Sequence, residues 1–126
     1  MLGDKKAVAT VSVRDLAVAR KFYEATLGLK VASTAGAEAF TLDSGGSQII
    51  VYRSKFAGTN QATAMNWMVG AEIEAIVTAL EGRGVAFEHY DLPGGTRTGG
   101  VHAFGDLKSA WFKDPDGNIL SLTQFS

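Results

Sequence analysis

The chain has two imidazoles, His89 and His102, thirteen residues apart in the stretch "FEHYDLPGGTRTGGVHAFGD" that also carries Glu88, Asp91 and Asp106. Imidazole and carboxylate move protons near neutral pH, and a general base must come within hydrogen-bond reach of the proton it takes. His102 and Asp106 are therefore the candidate catalytic groups, with Tyr90 beside them. The same side chains are the ones a divalent metal would ask for. A metal site built from them would lie on a loop, and a lone loop His is more often simply solvated. There is no Cys, so disulfides and thiolate metal sites are excluded. No Ser-His-Asp arrangement is visible, because the strand Ser residues have no His on the same strands.

"AVATVSV" (7–13) alternates as a strand, with Asp15 as the cap of a helix over 16–27 and Gly28 at its end. Strands are expected at 29–33, 39–43 and 48–53. After a linker at 54–63 the order repeats: a strand at 64–69, a helix at 72–84, then strands near 85–90, 109–113 and 118–124. "GGTRTGG" reads as a flexible loop tip, and "LPGGTRTGGVHAFGD" as a lid or mouth. "DPDGN" is turn chemistry.

Val13 to Val69, Gly28 to Gly84 and Val31 to Phe87 are each 56 residues apart, and Leu42 to Phe112 and Ile50 to Leu120 are each 70 apart. Two βαβββ repeats, 7–53 and 64–124, follow from this, with 14 extra residues in the second. A unit of this kind covers one sheet face with its helix and leaves the other bare. Pairing the two bare faces encloses a cavity, within a single domain over 1–126. The expected class is α+β, with a paired, curved mixed sheet.

Strand alternation assigns the faces. Val11, Ile50, Trp67, Phe112, Leu120 and Leu122 are expected toward the helices. Thr10, Ser12 and Thr41 are expected on the bare face in the first repeat, with Val8, Ile49 and Val51. In the second, Ala64, Asn66, Met68, Ser109, Trp111 and Ser121 are expected there, with Ile119 and Thr123. Phe56, Tyr90, His102 and Phe104 would border the mouth, and Arg53 and Lys113 the rim. This lining is apolar and rich in hydroxyls, without a carboxylate. It suits a mostly uncharged organic ligand, with Trp111 stacking on a planar ring.

"VSVRDLAVARKFYEATLGLKV" and "AWFKDPDGNILSLTQ" resemble the signature stretches of the vicinal oxygen chelate superfamily, the group of glyoxalase I, extradiol dioxygenases and the fosfomycin- and bleomycin-resistance proteins. The resemblance covers nearly the whole chain. It implies two-fold pairing, hence a homodimer. Metal-dependent members present His or Gln on a first strand and Glu on the strand after "DPDGN". Carried onto this sequence, those positions are Val8 and Ala64 on the first strands, and Val51 and Ser121 on the last. None offers imidazole, carboxylate or thiolate, so no metal and no other cofactor is expected.

Net charge is −1, with both signs mixed, so neither nucleic acid nor an anionic membrane is an expected partner. The N-terminus lacks the apolar core of a signal peptide, and a cytoplasmic protein is expected. The expected function is metal-independent binding of a hydrophobic or aromatic small molecule, with a resistance-type role in view. The alternative is a glyoxalase-like lyase or isomerase, acting without metal or with relocated ligands. Bleomycin, a large cation, is not named as ligand, because the lining lacks acids.

Overall fold

The computed structural model describes residues 1–125, so Ser126 lies outside the described residues. The chain divides into two compact units, Met1–Gly58 and Thr59–Ser126. The α+β expectation holds, with one mixed sheet in each unit. Among the described residues no helix is long and apolar enough to cross a membrane.

In the first unit the strands β1 (Ala9–Val13), β2 (Lys30–Ala35), β3 (Ala39–Ser44) and β4 (Ser47–Arg53) form a sheet in the order β1-β4-β3-β2. Helix α1 (Leu16–Arg20) begins at Asp15, whose Oδ1 accepts from Ala17 N and Val18 N at 2.9 and 3.2 Å. That satisfies two donors the first turn cannot pair internally. The helix then widens into a π-helical turn, Lys21–Thr26, where Leu27 N donates to Phe22 O across five residues. The turn keeps Tyr23 wholly buried beside Ala19. Gly28 closes the element at φ 77°, a conformation a side chain resists.

Register corrects one face. Val11 pairs with Val51 and Thr10 with Ile50, while Ile49 sits opposite Leu42. Directly opposed residues share a sheet face, so Ile49 and Val51 lie with Val11, Phe40 and Leu42 in the core, all buried. Ile50 lies on the other face with Thr10. The expected placement of Val51 and Ile49 on the bare face, and of Ile50 on the helix side, is thus reversed. The cause is turn length. Leu42 and Ile49 are opposed across "DSGGS" seven residues apart, whereas Phe112 and Leu120 are opposed eight apart. The last strands of the repeats therefore correspond at 71 residues, not 70, and a slip of one flips every side chain.

In the second unit β5 (Thr63–Met68), β6 (Thr96–Thr98), β7 (Val101–Phe104), β8 (Leu107–Lys113) and β9 (Ile119–Phe125) run in the order β5-β9-β8-β7-β6. Helix α2 (Ile73–Glu81) buries Ile73, Val77 and Leu80. Its first turn is held from a distance: Ile73 N donates to the buried Gln124 Oε1 at 3.1 Å. On the helix side of this sheet, Phe112 is 1% exposed and packs on Phe87 and Trp67 at ring distances of 5.3 and 6.4 Å.

The second unit departs from expectation between its helix and β8. Residues 85–90 form no strand. Their backbone meets β8 at the Phe87–Phe112 bridge and through the Glu88 N to Trp111 O bond of 2.8 Å. The stretch read as a loop instead supplies the hairpin β6–β7, which pairs with the remaining length of the β8 edge from Leu107 to Ser109. An edge offers one row of backbone groups, and here two segments divide it. The glycines serve the hairpin rather than flexibility. A Cβ on Gly100 would stand 2.7 Å from Phe87 Cβ, and one on Gly95 would stand 2.5 Å from the Phe104 ring.

Candidate functional site

The face of the second sheet away from its helix is built by register. One row runs Asn66, Ser121, Trp111 across β5, β9 and β8. The next runs Met68, Thr123, Ser109, His102, Arg97 across all five strands. Alternation puts these residues opposite the face that carries Phe112, Leu120 and Leu122.

Asn66 organises the first row. Its Oδ1 lies 2.7 Å from Ser121 Oγ and 2.7 Å from Thr123 Oγ1. An amide oxygen only accepts, so both hydroxyls donate to it and keep their lone pairs for another partner. The Asn66 amide nitrogen reaches Met68 Sδ at 3.3 Å. Met68 itself is 61% exposed.

Trp111, Tyr90 and His102 form an aromatic group beside this clasp. Ring centroids are 5.0 Å apart for His102–Trp111, 5.4 Å for Tyr90–Trp111 and 5.7 Å for Tyr90–His102. The first two pairs meet edge to face, the favoured geometry for aromatic quadrupoles. His102 is 1% exposed, and its Nε2 accepts from Tyr90 N at 2.9 Å. Burial, and secondly the negative charge of Glu88, push the Tyr90 phenol above its ordinary value. It therefore stays protonated through the neutral range and is not a base there. A groove of about 380 Å³ opens here, lined by Tyr90, Asp91, Leu92, Pro93, Gly95, Thr96, Arg97, His102 and Phe104.

The structure thus brings Asn66, Met68, Ser109, Trp111 and Ser121 onto one face, with Tyr90, His102 and Phe104 at the adjoining groove. Ala64, exposed, stands at a register shift between Thr63 and Met65. Asp106 is exposed at the β7–β8 turn, four residues along the chain from His102. His89 is exposed beside Glu88, which faces Lys113 at 3.7 Å. In the first unit Thr10, Ser12 and Thr41 share a face with Ile50, and Val51 does not. Phe56, 66% exposed, lies in the segment after β4 with Lys55 Nζ 5.3 Å from its ring. Arg97 was missed at the sequence level. The signal that finds it is Gly-Gly between two strand-prone runs, a hairpin mark.

A model of the Glyoxalase/Bleomycin resistance protein/Dioxygenase superfamily matches residues 7–122. The chain belongs to this superfamily. Solved structures agree on the fold of this superfamily member. It is similar to an integron cassette protein from the Halifax Harbour sewage outfall metagenome, at 23% identity and TM-score 0.72, over 96% of this chain and 99% of that one. It is also similar to a lactoylglutathione lyase from Agrobacterium tumefaciens, at 16% identity and TM-score 0.70, over 96% and 93%. A fosfomycin resistance protein from Listeria monocytogenes follows at 13% identity and TM-score 0.72, over 98% and 94%. No curated protein matches the chain in sequence.

The metal that other members of the superfamily carry does not fit the residues present. With the register corrected, the four positions are Val8, Ile50, Ala64 and Ser121. Three have no donor atom, and the Ser121 hydroxyl donates to Asn66. Borderline and hard divalent ions need imidazole, carboxylate or thiolate. Among the described residues no group of three or more His, Asp or Glu could hold one elsewhere.

Proposed function

We propose that this superfamily member binds a planar, largely apolar small molecule without a metal and holds it rather than transforms it. The observation that carries the reading is the sheet face that sets half-buried Trp111 beside the Asn66–Ser121–Thr123 clasp. An aromatic wall with a few fixed polar groups is the usual make-up of a small-molecule site. The clasp stands at a metal position and uses that position's hydroxyl internally. A resistance-type role in the cytoplasm, by sequestration, is consistent with such a site.

The reading as a metal-free lyase or isomerase finds less support. Tyr90 is held as the neutral phenol, His102 Nε2 is already engaged by a backbone N–H, and Asp106 stands apart at a hairpin tip. Purified protein, dialysed and measured by elemental analysis, is expected to hold far less than one equivalent of divalent metal per chain. Aromatic metabolites incubated with it are expected back unchanged by mass spectrometry. A stoichiometric Zn, Ni, Mn or Fe that survives dialysis, or a mass-shifted product, would refute this function.

A homodimer belongs to the same proposal. Tyr52, Phe56, Met68 and Phe125 are exposed at 41%, 66%, 61% and 63%, large apolar side chains that a second copy could cover. Light scattering at micromolar concentration is expected to give twice the chain mass, and a clean monomer mass counts against it.

A further inference from the structure

His102 carries an unanswered donor. Its Nε2 accepts from the Tyr90 backbone N–H at 2.9 Å. A backbone N–H can only donate, so Nε2 has its lone pair there, and the proton of the neutral ring sits on Nδ1. That Nδ1 is buried and has no hydrogen-bond partner among the described residues. A buried N–H without an acceptor costs stability, and native structures seldom leave one. The residue also lines the groove of about 380 Å³. Its cross-strand neighbour Arg97 lines the same groove and gives one N–H to Gly99 O at 2.8 Å, leaving further guanidinium donors. Asp91 is the opposing charge in the lining.

We propose that His102 reads an acceptor oxygen on the ligand: the site takes a planar ring bearing a carbonyl or carboxylate, and Nδ1–H donates to that oxygen. Tyr90 and Phe104, which line the same groove, give the ring its apolar contacts, and Arg97 is placed to take a second oxygen. His102 is a specificity residue here and not a base, because Nδ1 already holds its proton and Nε2 is occupied. The proposal rests on the reading of this face as a ligand site.

The test uses the full chain and three probes of one ring size: toluene, benzaldehyde and benzoate. Long-range ¹H–¹⁵N spectra of the free protein should show His102 as the Nδ1–H tautomer. Benzaldehyde and benzoate should bind roughly tenfold or more tightly than toluene, and should shift the His102 Nδ1–H resonance. His102→Gln can still accept from Tyr90 N–H but offers no donor at the Nδ1 position, so it should erase the preference. His102→Asn places an amide N–H there and should keep part of it. Equal affinity for the three probes would overturn the role of His102 while leaving the aromatic site standing. Failure of all three to bind would overturn both. An Nε2–H tautomer or an imidazolium in the free protein would overturn it without any variant, should His102→Gln fail to fold.

Discussion

Trp111→Ala is expected to weaken binding of a planar ligand by about 5- to 150-fold, because losing a stacking ring costs about 1–3 kcal/mol. Its neighbour Phe112 is expected to behave in the opposite way. Phe112 is 1% exposed, between Phe87 and Trp67, so Phe112→Ala should cost about 3–5 kcal/mol of folding stability. That is a large share of the roughly 5–15 kcal/mol that holds a domain together. Trp111 is half-buried on the open face, and its loss should cost stability well below that range. Urea denaturation and ligand titration on both variants check the pair. Unfolding by Trp111→Ala with a stable Phe112→Ala would mean that β8 faces the other way.

Asp114→Ala is the second large effect, and it acts from outside the site. Asp114 is 4% exposed, and Oδ1 accepts from Asp116 N at 3.0 Å and Asn118 N at 2.9 Å. Oδ2 accepts from Asn118 Nδ2 at 2.8 Å. Truncation strands these donors, at a cost of about 2–4 kcal/mol. The turn also fixes the β8–β9 register that sets Trp111 opposite Ser121. Affinity for planar probes should therefore fall together with the thermal midpoint. Asp114→Asn keeps one acceptor oxygen and should land between the two. An Asp114→Ala protein with unchanged stability would show that the turn holds itself through Gly117 and the backbone alone.

The sequence is most legible where one face of a strand is buried and the other is not. Ala9 to Val13 and Met65 to Met68 alternate cleanly, and their faces are read correctly. Asp15 and Gly28 mark the ends of the first helical segment by capping chemistry. The π-helical turn at Lys21–Thr26 leaves no such mark, since its residues keep a helical apolar stripe. Val51 and Ile50 are misassigned because "QIIVY" is apolar on both faces. Its side could be set only by counting through a turn, and that turn is one residue shorter than its counterpart. In the β6–β7 hairpin Gly99-Gly100 marks the turn, but the glycines taken together suggest looseness. Two of them are there because Phe87 and Phe104 leave no room for a Cβ. The unpartnered Nδ1 of His102 could not be read from sequence at all, because it depends on Tyr90 N–H reaching the other ring nitrogen.

A planar ligand is expected to bind on the Trp111 face without a metal. Two indole N–H resonances, Trp67 and Trp111, make the test direct. Benzaldehyde or benzoate is titrated into EDTA-treated protein while both resonances are followed, with Trp67→Phe used to assign them. The expected result is a saturable shift of the Trp111 signal, little change at Trp67, and the same affinity when Zn²⁺, Ni²⁺ or Mn²⁺ is supplied. A shift at Trp67 with Trp111 unmoved, or binding that appears only with added metal, would contradict the account.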